Sequence, residues 1–238
     1  MFHTIFYQPL YNALVLLSSI VPGGDVGLAI ICLTILVKIV LFPLFQSAAV
    51  TQMRMKQVEP EMALIKEKYK DDKTTQTKKV LEVYKTNKIN PFSTIIALII
   101  QIPIILALYW VFQESFSFNQ AELYSFVSIP AVVSLNFLGF VDITAKSLIL
   151  ALLTGVTQYI QTDLTLPKTV VKSENKDKQA DFKDSFTQSL NFNMRYLMPI
   201  FITYIAYTLS SAIALYWMTS NLFAIAQELY IRKYYKKV

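Results

Sequence analysis

Cysteine and histidine are almost missing from this sequence, which holds one of each, Cys32 and His3. A single cysteine closes no disulfide within the chain, so redox compartment is not readable from it. With His3 alone near the start there is no zinc or haem spacing, and no metal site or other cofactor is expected. Glycine is scarce, at five in 238 residues, and no phosphate-cradling loop is formed from them. Charge is thin: Asp, Glu, Lys and Arg make up 16% of the chain, against about a quarter in an average soluble domain. No nucleophile stands beside a base, and no paired carboxylates fall within one apolar run. These absences argue against an enzyme.

What is present is apolar. Hydrophobic residues make up 54% of the chain, and several nearly uncharged stretches approach the roughly 20 residues that cross about 30 Å of hydrocarbon. The net charge is +6, but the basic residues sit in two loops and a tail between apolar runs. That is the placement of cytoplasmic flanks, and no recognition of a specific nucleic-acid sequence is expected.

Residues 1–21 carry no Lys or Arg, and Phe2, Phe6, Leu10, Ala13, Leu14, Leu17 and Val21 recur at helical spacing opposite Gln8, Asn12 and Ser19. This reads as an amphipathic helix lying in the membrane interface. A signal peptide is the rival reading, but the basic start and small-residue cleavage site it needs are not evident. Five transmembrane segments follow, at 26–45, 91–112, 147–162, 194–210 and 212–230. Between the first two, residues 46–90 hold ten Lys/Arg against six Asp/Glu. Met55, Val58, Met62, Ile65 and Tyr69 step along them as a narrow apolar stripe. Val80, Leu81 and Tyr84 are expected to face it from a second arm beyond an Asp71-Asp72-Lys73 turn, which predicts a cytoplasmic helical hairpin. Pro60 lies inside its first arm and is expected to kink or divide it.

Residues 113–146 are an extracytoplasmic segment, 163–193 a polar cytoplasmic loop with a mobile part at 172–184, and 231–238 a basic cytoplasmic tail. The stretch 123–141 is uncharged and long enough to cross, but Pro130, Asn136 and Gly139 weaken it as a span. Parity decides the matter. Five spans put 46–90, 163–193 and the tail on one side, leaving only Lys146 as a basic residue on the other. The positive-inside bias therefore puts the N-terminus outside and the C-terminus in the cytoplasm. No inverted repeat of the transporter type is visible.

Lys38 is the only basic residue well inside a span. It lies about 12 Å from the cytoplasmic end of the 26–45 segment at 1.5 Å per residue. A lysine near a helix centre costs roughly 2.5–3.5 kcal/mol on insertion scales, and no acidic residue within the spans is well placed to neutralise it. The functional reading is that Lys38 faces water. The bland reading is that the span starts later or tilts, and the side chain snorkels to the interface. Thr34, one turn earlier on the same face, favours a polar surface. Gln101, Gln158, Gln161, Thr203, Thr219, Ser220, Asn221 and Gln227 also fall in spans. Each alone is more often an interhelical hydrogen bond than a site.

Several of these runs resemble the YidC-type membrane protein insertase family. Thr34-Ile-Leu-Val-Lys38-Ile-Val-Leu-Phe-Pro43-Leu resembles the family's first core span, and Asn90-Pro91 with Gln101-Ile-Pro103-Ile104 and Ala107-Leu108-Tyr109 the second. Phe137-Leu-Gly-Phe-Val-Asp142, Met198-Pro199 and Leu215-Tyr216-Trp217-Met-Thr-Ser220-Asn221-Leu222 resemble the segments that follow. Their shared order, with a basic hairpin after the first span, covers almost the whole chain. The resemblance implies an all-α integral membrane protein of five transmembrane helices enclosing a cytoplasm-open hydrophilic groove, with the interfacial helix and cytoplasmic hairpin attached. It implies an insertase and chaperone of the bacterial plasma (inner) membrane, receiving nascent proteins in the groove and releasing them laterally into the lipid bilayer. Lys38 then receives substrate, and Thr34, Gln161, Tyr216 and Trp217 line or flank the groove. The ribosome and the Sec translocon are candidate partners.

The sequence departs from the family in having Lys38 where bacterial members commonly carry arginine, keeping the charge without the bidentate fork. A large extracytoplasmic domain, a lipobox cysteine near the start and a long ribosome-binding tail are not expected. The alternative function is a small solute or ion transporter using Lys38 as an anion site. A third is a subunit of a larger membrane assembly.

Overall fold

The computed structural model describes residues 1–114, 119–166 and 192–235. The predicted mobile part at 172–184 lies outside them. Helix dominates, and two compact units divide the chain: residues 1–40 with 102–226, and residues 41–101 with 227–238.

The first unit begins with α1, a π turn His3–Tyr7 running into Gln8–Ile20. Its buried face is Tyr7, Tyr11, Asn12, Leu14, Val15 and Ser18. Of the predicted polar side, Asn12 is buried while Ser19 is exposed, and Asn12 is accommodated because it finds hydrogen-bond partners there. Asn12 Nδ2 donates to Glu122 O at 2.9 Å, and Asn12 Oδ1 accepts from Tyr124 N at 2.7 Å. His3 Nε2 stands 3.0 Å from Glu122 Oε2.

After a 3₁₀ turn at Pro22–Gly24, α2 covers Val26–Val40. The predicted span ran to 45, but the helix breaks at Leu41 and α3 (Phe42–Lys68) begins. Pro43 accounts for the break, since it has no N–H to give and its ring collides with the carbonyl four residues back. The uncharged stretch 123–141 forms no helix. It leads into a two-stranded antiparallel ribbon, β1 (Asn136–Phe137) and β2 (Val141–Asp142).

α6 (Leu148–Thr165) is capped by Ser147, whose Oγ accepts from Leu150 N at 3.3 Å. α7 is a π turn Asn193–Leu197 continuing into Met198–Thr208. α8 is Ser211–Tyr235, so the first five residues of the predicted tail are helical. α6 and α7 approach closely at Gly155, where a Cβ would collide with Thr203 Oγ1. Small residues permit such backbone contact between helices in lipid.

In the second unit, α3 and α4 (Lys73–Thr86) form the expected hairpin. Pro60 sits inside α3 without dividing it. Val58, Met62, Val83 and Ile89 make the buried core, with Ile65, Val80 and Tyr84 packed on it. Leu81 was expected to face the first arm but is exposed. One residue is about 100° of helix, so with Val80 and Val83 turned inward, Leu81 is carried outward. Asp72 Oδ1 caps α4 by accepting from Thr75 N at 3.0 Å. The Thr75 side-chain hydroxyl first, and this backbone bond second, hold the carboxyl below the usual carboxylate range. α5 (Pro91–Glu114) starts in this unit and ends in the first.

α6 shows how the apolar residues are spent. Leu148, Ile149, Leu152, Leu153, Val156 and Ile160 are exposed along one side, while Ala151, Thr154, Gly155 and Thr157 are buried along the other. α7 exposes Ile200, Phe201 and Tyr204, and α5 exposes Ile99, Ile102 and Leu106. In water such contiguous apolar faces would be aggregation sites; against acyl chains they need no cover. Among the described residues one stretch, Ile95–Gln113, with mean hydropathy 2.6, passes as a span on length and apolarity alone. The α2–α3 pair is a second if counted as one broken span.

Candidate functional site

All five residues singled out in the sequence fall in the first unit. Lys38 stands two residues before the end of α2, buried to 9% of its free surface. Thr34 is buried one turn before it, and its hydroxyl donates to Ile30 O at 2.7 Å. That bond stays within the helix, so Thr34 takes its place on the Lys38 face with its own proton already committed.

Gln161 belongs to a polar ladder on α6. Gln158 Nε2 donates to Gln161 Oε1 at 3.3 Å and to Thr162 Oγ1 at 3.1 Å, and Gln161 Nε2 donates to Thr165 Oγ1 at 3.2 Å. The ladder continues upward to α8. Asn221 Nδ2 donates to Thr157 Oγ1 at 3.3 Å, and Thr154 Oγ1 donates to Ala214 O at 3.0 Å. Thr154 and Thr157 were not singled out from the sequence, although 154, 157, 158, 161, 162 and 165 repeat at helical spacing. At the far end of α6, Asp163 Oδ1 pairs with Arg195 Nε of α7 at 3.3 Å.

Tyr216 and Trp217 are brought together elsewhere. They line an apolar pocket of about 190 Å³ with Leu108, Tyr109 and Phe112 of α5 and Ile205 of α7. Tyr216 is buried, its ring tilted against Phe112 at 6.3 Å between centroids. Lys38, Thr34 and Gln161 are not part of that lining. The structure thus sorts the five residues into three local settings: a buried cation with a threonine, an amide–hydroxyl ladder, and an apolar aromatic pocket. Among the described residues no cluster of His, Cys, Asp and Glu suited to a metal exists.

Helices with polar inner faces, apolar outer faces and a cation at depth define a helical integral membrane protein. The profile of the 60Kd inner membrane protein family matches residues 16–238, and the chain belongs to that family. The membrane protein insertase YidC of Clostridium tetani (strain Massachusetts / E88) is 31% identical over 93% of this chain and 89% of its own length. The protein of the same name from Francisella tularensis subsp. novicida (strain U112) is 30% identical over 90% of this chain, which spans 33% of that longer relative. A solved structure described as an active YidC insertase with its first transmembrane domain resolved superimposes with a TM-score of 0.54 at 22% identity, over 94% of this chain and 45% of the other. The chain therefore has the insertase fold.

Proposed function

We propose that this protein is a membrane protein insertase that receives hydrophobic nascent proteins in a hydrophilic groove and passes them sideways into the bilayer. The insertase names of the relatives support this over the solute or ion transporter alternative. The observation that carries the mechanism is Lys38, a cation buried one turn from Thr34 on a helix of apolar composition.

Moving a polar segment through hydrocarbon strips water from its backbone groups, each at several kcal/mol. A wet recess partway through the membrane shortens the dry distance. A lysine in that recess attracts acidic residues of the arriving segment; at 4 Å the attraction is about 1 kcal/mol in bulk water and about 4 kcal/mol near a protein surface. The membrane potential then favours outward movement of each negative charge by about 2.3 kcal/mol per 100 mV. The α6 ladder of Gln158, Gln161 and Thr165 supplies exchangeable hydrogen bonds, and the Tyr216–Trp217 pocket supplies an apolar berth for the substrate helix. No step needs a covalent reaction. In this reading five spans enclose the groove, the N-terminus lies outside the bacterial plasma membrane, and the α3–α4 hairpin meets substrate, ribosome or translocon in the cytoplasm.

The test is insertion of a single-span, acidic-tailed substrate into vesicles containing the full chain. Lys38→Ala should slow insertion about tenfold, the factor that corresponds to 1.4 kcal/mol, Lys38→Glu further still, and Lys38→Arg should retain most activity. Equal insertion by all three, at equal folded protein, removes the charge from the mechanism.

A further inference from the structure

The β1–β2 ribbon ends in a turn with unusual chemistry. Leu138 and Gly139 both have positive φ, at 52° and 78°, and Phe140 N donates to Phe137 O at 3.1 Å. Two central residues of positive φ mark the hairpin turn that water-exposed proteins fill with Asn-Gly or Asp-Gly. Leucine has no side-chain oxygen to ease that conformation. Here it is kept, and it is 57% exposed beside Phe140, which is 90% exposed. Phe126 and Val132 of the same connection are exposed too, and no charged residue occurs from 123 to 141.

The ribbon is fastened to the ends of the helices. Val26 N, at the first residue of α2, donates to Ser134 O at 3.0 Å, and Phe137 lies over Gly27 where a Cβ would not fit. Ala212 N, at the second residue of α8, donates to Ile143 O at 2.9 Å, and Ser211 N donates to Ala145 O at 2.8 Å. Phe140 is three residues from Ile143, a reach of about 10 Å in extended chain. The headgroup layer beyond the hydrocarbon is about 5–8 Å deep on each side. The tip is thus within reach of such a layer, where aromatic residues concentrate. The first residues of α6, Leu148 and Ile149, are also exposed and apolar.

We propose that the β1–β2 tip, led by Phe140 and Leu138, inserts among the lipids of the leaflet where α2 and α6 begin, anchoring that end of the helices to the bilayer.

The experiment places an environment-sensitive fluorophore on Phe140→Cys in a Cys32→Ser background, with the full chain in phosphatidylcholine–phosphatidylglycerol vesicles. Asp71→Cys, on the exposed turn of the α3–α4 hairpin, is the reference. The tip label should emit to the blue of the reference and be quenched by brominated lipids more than by aqueous iodide. The reverse order places the tip in water and overturns the proposal. Because a label could drag the tip into lipid, the unlabelled Leu138→Asn/Phe140→Asp variant is compared by hydrogen exchange in the same vesicles. Its turn chemistry suits the backbone better, so a ribbon held only by its own structure would keep or gain amide protection at 135–143. A lipid-anchored ribbon loses protection; unchanged or raised protection overturns the anchor.

Discussion

Asp25 uses its two carboxylate oxygens in two places. Oδ1 accepts from Leu28 N at 3.1 Å, capping α2, and Oδ2 accepts from Leu138 N at 2.8 Å. Asparagine has one acceptor oxygen, so it can keep one bond and must face the other N–H with a donor. Asp25→Ala should destabilise the protein by about 1–2 kcal/mol, the range for a lost cap together with a partly buried donor left without its partner. Asp25→Asn should fall between alanine and wild type in thermal unfolding; identical midpoints for all three would show that neither bond matters. Asp142 offers a pH test. The Thr144 hydroxyl donates to its Oδ1 at 2.6 Å and the Thr144 N–H at 2.8 Å, holding the carboxyl below its ordinary value. A depressed folded value stabilises the turn above the ordinary carboxylate pKa of about 4, and that contribution is lost as pH falls through the folded value. Thr144→Val removes the larger cause, so the Asp142 resonance in a carboxylate titration should move upward toward the ordinary value. That Lys38 and Thr34 share one buried face of α2 was legible in the sequence, because a charge in an apolar run and a one-turn spacing are local signals. Asp25 was not, because its second partner lies 113 residues away and only the folded chain brings them together.

At the scale of elements, the hairpin shows what periodicity can and cannot supply. The Val58, Met62 and Ile65 stripe names the inner face of α3 directly, since positions three and four apart share a face. The facing register was one residue off at Leu81, because a 14-residue helix with few apolar residues does not fix its own rotation. Packing fixes it, and Ile89 beyond the helix end completes the core. In α1 the burial of Asn12 was not legible either, because its partners Glu122 and Tyr124 lie 110 and 112 residues away. The α3–α4 core is small, with four buried residues, so truncating one should open the hairpin without unfolding the spans. Met62→Ala should cost about 2 kcal/mol, at the lower end for such truncations because the site can collapse. The amides of α3 and α4 should then exchange roughly thirtyfold faster. Amides of α6, with their own packing, should keep their rates. A global change in exchange would mean that the hairpin and spans unfold as one.

For the whole molecule, charge distribution says more about topology than helix length does. α2 has 15 residues and α6 has 18, about 22 and 27 Å at 1.5 Å per residue, against roughly 30 Å of hydrocarbon. Helix length alone therefore leaves the number of crossings open, and breaks such as that at Leu41 come from a proline effect that hydropathy averages away. The basic residues are less ambiguous. Ten of them lie in 46–90, none precedes Val26, and 113–146 holds Lys146 alone. Lys and Arg resist translocation against the membrane potential, each at about 2.3 kcal/mol per 100 mV, so the side rich in them stays in the cytoplasm. With 123–141 folded as loop and ribbon, this bias predicts an odd number of crossings between the termini. A membrane-impermeant maleimide, applied to intact cells carrying Cys32→Ser, should label Asn119→Cys at once. Asp71→Cys, on the hairpin turn, should label only after permeabilisation. Labelling of Asp71→Cys in intact cells would reverse the orientation and put Lys38 on a path open to the wrong face for receiving proteins from the cytoplasm.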